Sequence, residues 1–266
     1  MANGLLSGKR GIVFGVANNK SLAWSCAQAC AAEGATMLFN FLGAAQEKRL
    51  NELISEIPGA KAKGCDLSKD EELEEFFKWV RTQWDSIDFV IHSVAYTEKE
   101  CLKEPFVNTT RQQFLSTMDI SAFTLVAAAK HAAPLMRNGG SIISMSYYGA
   151  EKVVPNYNVM GVAKAALEAC NRYLADDLGP QGIRVNSISA GPIRTLSSSA
   201  IPGMRNMLDY SQKFSPLRRN ITGEDVARSA LFLLSDLGSG VTGETLHVDC
   251  GYHVMGMFRE ESNPQA

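Results

Sequence analysis

Segments with the composition of strands alternate with segments of helical composition along nearly the whole chain. Repeated alternation of this kind favours a parallel sheet with helices on both faces, since right-handed crossovers place the helices there. We therefore predict an α/β fold built on a doubly wound parallel sheet of about seven strands. The predicted strands are Gly11–Val16, Thr36–Phe41, Ala60–Cys65, Asp88–His92, Ser141–Met145, Arg184–Ser189 and Thr245–Val248.

The helical segments between these strands carry ordinary start and stop signals, such as an acidic first turn or a following glycine. No linker and no break in composition divides the chain, so we predict one Rossmann-like domain over residues 1–258 and a flexible tail over 259–266. The predicted helices are Leu22–Ala32, Gln46–Ile57, Asp70–Trp84, Arg111–Met136, Asn156–Leu178 and Gly223–Ser235.

Composition excludes several functional classes. The chain has 266 residues, of which 45% are hydrophobic, and a net charge of -2, which argues against nucleic acid as a partner. We expect no signal peptide, because no basic segment precedes an apolar one, and no membrane span, because no apolar run approaches ~20 residues. The six cysteines lack CxxC spacing and the four histidines form no ligand pattern, so we expect free thiols, no metal site and a cytoplasmic location.

One segment interrupts the alternation. More than 30 residues, 190–222, separate the sixth predicted strand from the next clear helix. A stretch of this length in a compact domain is usually functional or disordered, and we interpret it as a lid over a pocket at the carboxyl end of the sheet. Met204–Lys213 within it has helical composition, and an inserted surface loop without function is the alternative.

A candidate dinucleotide-binding turn follows the first strand. Gly15 ends the strand and Ser21 precedes the first helix. Glycine allows backbone to approach a pyrophosphate closely, and the N-terminus of the helix attracts anions. The second and third glycines of the GxGxxG pattern are absent, so an ordinary strand–helix turn remains the alternative.

The ends of the second and third strands bear on the choice of nucleotide. Asp or Glu often follows the second strand and binds the ribose 2′-OH of NAD, but Leu42 occupies that region here. No arginine is adjacent to it for a 2′-phosphate. Asp66, after the third strand, could accept from an adenine amine or cap the next helix.

Tyr157 and Lys164 are seven residues apart in the predicted helix Asn156–Leu178. Seven residues are almost two turns, so both side chains would lie on one face, roughly 10 Å apart along the axis. Each could reach one bound ligand. The alternative is a partly exposed tyrosine and a lysine whose stem lies along the surface.

Longer motifs indicate a family. The runs Ser146–Glu151 (SYYGAE), Pro155–Lys164 (PNYNVMGVAK), Arg184–Thr195 (RVNSISAGPIRT) and Val241–Asp249 (VTGETLHVD) resemble those of the bacterial enoyl-acyl-carrier-protein reductases, a divergent branch of the short-chain dehydrogenases. The likeness runs from about Leu5 to Met257. Ordinary members of the larger family have tyrosine four residues before the lysine, where this chain has Met160.

The resemblance implies a role for each matching residue. Tyr157 would hydrogen-bond the substrate thioester carbonyl, Lys164 would hold the nicotinamide ribose, Tyr147 would complete the catalytic group, and Thr97 would contact substrate. The remaining residues would bind cofactor: Gly15, Ser21, Leu22, Leu42, Asp66, Leu67, Val94, Ile193, Arg194, Thr195, Leu196 and Ser197.

The family likeness also implies an activity and partners. Hydride would pass from NADH, with NADPH as the alternative, to the β-carbon of a trans-2-enoyl thioester on an acyl carrier protein. The enzyme would act in fatty acid synthesis, and it would be a homotetramer. Segment 190–222 would bind substrate, with Arg205 near the acidic carrier, and five of its apolar side chains could line an acyl channel: Ile201, Met204, Met207, Leu208 and Phe214.

Two other functions remain open at this point. A ketone or 3-oxoacyl reductase on the same fold would have tyrosine at position 160, where methionine stands. A dinucleotide-sensing protein without catalysis would have no need of Tyr157, Lys164 and Tyr147 together.

Overall fold

Seven parallel strands form a single sheet in the computed structural model, which describes residues 4–196 and 198–257. The spatial order is β3-β2-β1-β4-β5-β6-β7, with every neighbouring pair parallel. This arrangement confirms the predicted doubly wound, Rossmann-like α/β sheet. The strands are β1 Arg10–Phe14, β2 Thr36–Phe41, β3 Lys61–Gly64, β4 Phe89–His92, β5 Gly140–Ser146, β6 Ile183–Ala190 and β7 Thr245–Val248.

Eight α-helices of the described chain cover the two faces of the sheet. Side chains of α1, α2 and α8 pack in one apolar cluster, and those of α3, α5 and α6 in the other. Consecutive strand residues such as Ile12 and Val13 enter opposite clusters, as the two-residue period of a strand requires. The helices are α1 Leu22–Ala32, α2 Ala44–Ile54, α3 Asp70–Gln83, α4 Arg111–Met118, α5 Thr124–Ala132, α6 Val159–Leu178, α7 Met204–Phe214 and α8 Gly223–Leu234.

The predicted helix Arg111–Met136 is interrupted in the structure. A π-helical segment, Asp119–Phe123, separates α4 from α5, and the α-helical part ends at Ala132. The extra residue of a π turn changes the angular position of everything after it. Three polar side chains, Thr117, Ser121 and Thr124, are fully buried along this stretch.

The start of α6 also differs from the prediction. The helix begins at Val159 rather than Asn156, because Asn156 and Asn158 have φ angles of 65° and 45°. Those left-handed values are incompatible with the right-handed helix. Tyr157 therefore lies in a turn before α6, and the predicted common helical face of Tyr157 and Lys164 is wrong.

The strand order reverses direction between β1 and β4, so their carboxyl ends open a crevice at the sheet edge. Segment 190–222 leaves β6 at this same edge, makes one helical turn at Ser198–Ala200 and continues into α7. In the described ranges, no helix has the length and apolarity needed to cross a bilayer. The predicted tail, residues 259–266, lies outside the described residues.

Candidate active site

A cavity of about 600 Å³ lies at the carboxyl ends of β1, β4, β5 and β6. Its lining is predominantly apolar with a few polar groups, as is usual for a small-molecule site. Ten of the residues predicted from sequence line it: Gly15, Ser21, Leu22, Thr97, Tyr147, Tyr157, Lys164, Ile193, Thr195 and Leu196.

Gly15 is required where β1 meets the cavity. Its φ is +95°, and a Cβ there would come within 2.2 Å of the Ser93 carbonyl oxygen after β4. The Gly15 amide donates to Asn40 Oδ1 at 3.1 Å, and Asn40 Nδ2 donates to the Cys65 carbonyl at 3.0 Å. Asn40 thus ties together the carboxyl ends of three strands.

The N-terminus of α1 lies at the cavity as well. Ser21 occupies the N-cap position, but its side chain makes no capping bond and Oγ donates instead to the Asn18 carbonyl. The first turn contains no acidic residue. The amide groups at this helix end therefore face no competing carboxylate, which suits the pyrophosphate of a dinucleotide.

We expect Gly15→Ala to weaken dinucleotide binding by at least about tenfold and to destabilise the fold by about 1–3 kcal/mol, the usual strain of a non-glycine residue at positive φ. Gly8→Ala is the matched control, since Gly8 has φ +76° with no atom within 4 Å of the added Cβ. Titration of nucleotide and urea unfolding measure the two effects. Equal nucleotide affinity in both variants would rule out the close approach proposed for Gly15.

Tyr157 is presented by the left-handed turn before α6. Asn156 Nδ2 donates to the Pro202 carbonyl at 3.0 Å, and Asn158 Nδ2 donates to the carbonyls of Cys101 and Glu104, each at 3.0 Å. These bonds hold two residues in a conformation that asparagine tolerates better than most side chains. The turn is therefore fixed between the loop after β4 and segment 190–222.

The Tyr157 ring packs edge-on against Tyr147, with centroids 4.9 Å apart and planes at 74°. Burial raises the pKa of both phenols well above the ordinary range, and Tyr147 raises the pKa of Tyr157 further, as Tyr252 does that of Tyr147. Both groups consequently remain protonated at neutral pH, so they can donate hydrogen bonds into the cavity.

Lys164 is almost fully buried in α6, and its Nζ donates to the Met145 carbonyl at 2.7 Å. Burial lowers the pKa of this ammonium group to about 8, while the negative charge of Glu168 opposes the shift. The lysine is thus still mainly charged at neutral pH. One donor bond goes to Met145, which leaves its other protons for a ligand.

Met160 also lines the cavity and packs with Tyr157, Leu102 and Ala163. Position 160 is where a ketone reductase of this fold would place its tyrosine. In this chain the position supplies a thioether and no proton donor. The phenols of Tyr147 and Tyr157 therefore line the cavity together with Lys164.

The wall formed by the loop after β4 depends on residues that sequence analysis did not identify. Ser121 Oγ accepts from the Tyr96 amide at 2.9 Å and donates to the Tyr96 carbonyl at 3.0 Å. Thr97 Oγ1 lies 2.8 Å from Thr117 Oγ1. The π-helical segment is what places these side chains beside the loop. The sequence offered one sign of this arrangement, because Thr117 and Ser121 are polar residues on a helix face that is expected to be apolar.

Several predicted cofactor residues lie outside the cavity lining. Leu42 is 60% exposed, Leu67 is buried in the core, and Val94 packs beside that core. Asp66 accepts from the Ser68 amide and hydroxyl, while Lys69 occupies the N-cap position of α3, so the capping alternative for Asp66 is wrong. Arg194 does not line the cavity, and Ser197 lies outside the described residues.

Gln46 at the start of α2 was also missed. It accepts from the Leu42 amide at 2.9 Å and donates to the Val16 carbonyl at 2.8 Å. The end of β2 is thereby attached to the glycine turn. No local sequence pattern predicts the bond from Gln46 to Val16, because these two residues are far apart in the chain.

The five proposed channel residues separate into two groups. Ile201, Met204 and Met207 line the cavity, whereas Leu208 is buried outside it and Phe214 packs against Tyr210. All six cysteines are free thiols. Within the described parts of the chain, no cluster of three or more histidine, cysteine or carboxylate side chains could hold a metal ion.

Known proteins resemble this chain over most of its length. The sequence profile of the family described as enoyl-(acyl carrier protein) reductase matches residues 15–253. Enoyl-[acyl-carrier-protein] reductase [NADH] 1 of Rhizobium meliloti (strain 1021) is 50% identical over 256 residues, or 96% of this chain and 94% of that protein. A reductase of Rickettsia conorii (strain ATCC VR-613 / Malish 7), also named as using NADH, is 46% identical, with 96% and 98% covered.

Solved structures agree with these sequence similarities. The enoyl-(acyl-carrier-protein) reductase of Anaplasma phagocytophilum in complex with NAD has a TM-score of 0.92 at 50% identity, with 97% of this chain and 96% of that chain covered. The Bacillus cereus enoyl-acyl carrier protein reductase with NADP+ and indole naphthyridinone has a TM-score of 0.94 at 46% identity, with 96% and 100% covered. The likeness therefore extends over nearly the whole fold.

Proposed function

The chain belongs to the enoyl-[acyl-carrier-protein] reductase family, and on that premise we propose that the cavity at the carboxyl ends of the strands is its catalytic site. The protein is an oxidoreductase that uses NADH to reduce an enoyl-[acyl-carrier-protein]. One observation carries the assignment of the site. Tyr157 and Lys164 line the same cavity, and methionine occupies position 160.

The residues of the cavity fit a dinucleotide. Gly15 lines the cavity at the end of β1 and packs its backbone against Ser93, and Ser21 and Leu22 lie at the start of the helix whose amides would face the pyrophosphate. Lys164 would hold the hydroxyls of the nicotinamide ribose, and Ile193 to Leu196 would cover the nicotinamide. Val94 would line the cofactor where β4 ends, and Leu42, Asp66 and Leu67 would extend the binding site toward the adenosine beyond the cavity.

When bound, NADH supplies a hydride from C4 of its nicotinamide, and the β-carbon of a trans-2-enoyl thioester accepts it. The electron pair of the double bond then moves toward the thioester oxygen, where negative charge develops. We place the Tyr157 phenol at that oxygen, because a donor aimed at developing charge stabilises the transition state more than the ground state. A proton reaches the α-carbon to complete the reduction, with Tyr157 or water as its source.

Lys164 and Tyr147 would support this step. The ammonium group fixes the cofactor and adds positive charge near the developing negative charge, which favours donation by Tyr157. Tyr147 holds the Tyr157 ring edge-on and lines the cavity beside it. Thr97, on the opposite wall, would contact the acyl group.

Segment 190–222 would bind the substrate and act as its lid. Its side chains Ile201, Met204 and Met207 already face the cavity, and unbranched methionines adapt well to a flexible acyl chain. Arg205 is exposed next to them, where positive charge would favour the approach of an acidic acyl carrier protein. The lid belongs to the single proposed domain, residues 1–258, with 259–266 as a tail.

We also propose a homotetramer in the cytoplasm. Large apolar side chains on the packed elements α4, the π-helical segment and α6 remain exposed, as expected of a surface that meets another subunit. They are Leu115, Phe123 and Val162. The six free thiols are compatible with a reducing compartment.

We expect the protein to oxidise NADH in the presence of a trans-2-enoyl thioester, with a lower kcat/KM for NADPH because no basic side chain follows Leu42 directly. The loss of absorbance at 340 nm measures both rates. An acetoacetyl thioester is the control substrate. Turnover of that compound with none of the enoyl thioester would favour the ketone reductase, and tight NADH binding without any turnover would favour the dinucleotide sensor.

A further inference from the structure

Glu168 is a buried carboxylate that none of the roles above uses. It lies one helical turn after Lys164 in α6, is 7% exposed and does not line the cavity. Burying a carboxylate is unfavourable unless the group is hydrogen-bonded or paired with a charge. Its position next to a buried lysine therefore calls for a physical account.

The hydrogen bond of Glu168 connects it to the end of β5. Ser146 Oγ donates to Glu168 Oε1 at 2.5 Å, and both groups are buried. Ser146 is the last residue of β5, between Met145 and Tyr147. The Met145 carbonyl accepts from Lys164, and Tyr147 lines the cavity. A single bond from α6 therefore fixes the backbone that positions two groups of the catalytic site.

The charge of Glu168 acts on Lys164 through space, since the two side chains form no direct ion pair. Burial lowers the pKa of the Lys164 ammonium group, and the Glu168 carboxylate raises it toward its ordinary value. His92 is a titratable neighbour of the pair. It is buried and neutral, because desolvation is the main cause that lowers its pKa to about 3. Glu168 is thus the negative group of the described residues that favours a charged Lys164.

Other groups set the charge of Glu168 itself. Burial raises the pKa of its carboxyl, the Ser146 hydrogen bond lowers it, Glu151 raises it, and His247 and Arg172 lower it. Glu151 is in turn hydrogen-bonded to His247 at 2.6 Å.

We propose that Glu168 is a positioning residue of the reductase, which keeps Lys164 charged through its own negative charge and fixes the end of β5 through its hydrogen bond with Ser146. The proposal rests on the role given above to Lys164. It assigns Glu168 no contact with cofactor or substrate.

Glu168→Gln separates the charge from the hydrogen bond, because the amide oxygen can still accept from Ser146. We expect the alkaline limb of kcat/KM for NADH to move by about one unit toward lower pH, a shift of the size that one nearby charge produces. At pH 8 the KM for NADH should rise several-fold, whereas kcat at saturating NADH should change little. Asp176→Asn, which removes one exposed charge from the same helix, is the matched control.

Ser146→Ala tests the other half of the proposal. It leaves the charge of Glu168 but removes the bond to β5, so kcat should fall several-fold while the alkaline limb stays in place. Thermal unfolding of each variant shows whether the fold is retained. An alkaline limb in Glu168→Gln that superimposes on that of the unmodified protein would overturn the inference, whether or not kcat changes.

Lys164→Met distinguishes failure of this inference from failure of the site assignment. If the alkaline limb belongs to Lys164, it disappears in that variant, and the Glu168 experiment is a direct test. A limb that persists in Lys164→Met would contradict the role of Lys164 and, with it, the electrostatic role of Glu168.

Discussion

Replacing Tyr157 with phenylalanine is expected to lower kcat for a trans-2-enoyl thioester about 100-fold, with little change in the KM for NADH. The substitution removes one hydroxyl from a ring that stays packed edge-on against Tyr147. Loss of one donor to a developing negative charge typically costs on the order of 3 kcal/mol of transition-state stabilisation. The ring remains, so the fold and the cofactor site should be unaffected.

Tyr173→Phe is the matched control for this experiment. Tyr173 lies in α6 and its side chain is 77% exposed, so the same chemical change occurs on the same element without touching the cavity. Steady-state rates and fluorescence titration with NADH separate turnover from binding. Full turnover in Tyr157→Phe would disprove the assignment of Tyr157, and a fall in Tyr173→Phe would indicate a nonspecific effect.

Lys164→Ala is expected to weaken NADH binding by at least about 100-fold, since two charge-assisted hydrogen bonds to a ribose, each of about 1.5–3 kcal/mol, would be lost. Turnover should fall as well, because Tyr157 loses a nearby positive charge. In the unmodified protein, binding requires the protonated lysine, whose pKa is about 8. The KM for NADH should therefore be constant below pH 7 and rise as the pH increases through 8.

Lys130→Ala supplies the control for charge, because Lys130 is exposed in α5. Isothermal titration with NADH at pH 7 measures the affinity directly. Wild-type affinity for NADH in Lys164→Ala would show that another group holds the ribose.

Local patterns in the sequence predicted those parts of the fold that depend on local physics. The bounds of α1 and β2 agree with the prediction, because glycine ends the first element and the apolar run defines the second. The start of α6 was wrong, because two left-handed asparagines are held by carbonyl groups more than 40 residues away in the chain. The π-helical segment was missed for a similar reason. The buried hydroxyls of Ser121, within it, and Thr117, just before it, bond to the loop after β4.

The candidate site was predictable in part. The motifs placed Gly15, Tyr157 and Lys164 in one cavity, although Tyr157 reaches it from a turn and not from the helix. Asn40 and Glu168 were not predictable, since each acts through a hydrogen bond between distant strands and helices. Sequence motifs reveal the residues that touch a ligand. They reveal less readily the residues that hold those side chains in position.

The turn that presents Tyr157 bears on how substrate preference can be altered. The side-chain amides of its two asparagines donate to main-chain carbonyls of the neighbouring walls, at Cys101, Glu104 and Pro202. Side chains of those walls can be exchanged without removing the acceptors. Libraries that vary Ile201, Met204 and Met207 should therefore retune acyl-chain selectivity while the proton donor stays aligned, whereas insertions or deletions near Pro202 should misalign it.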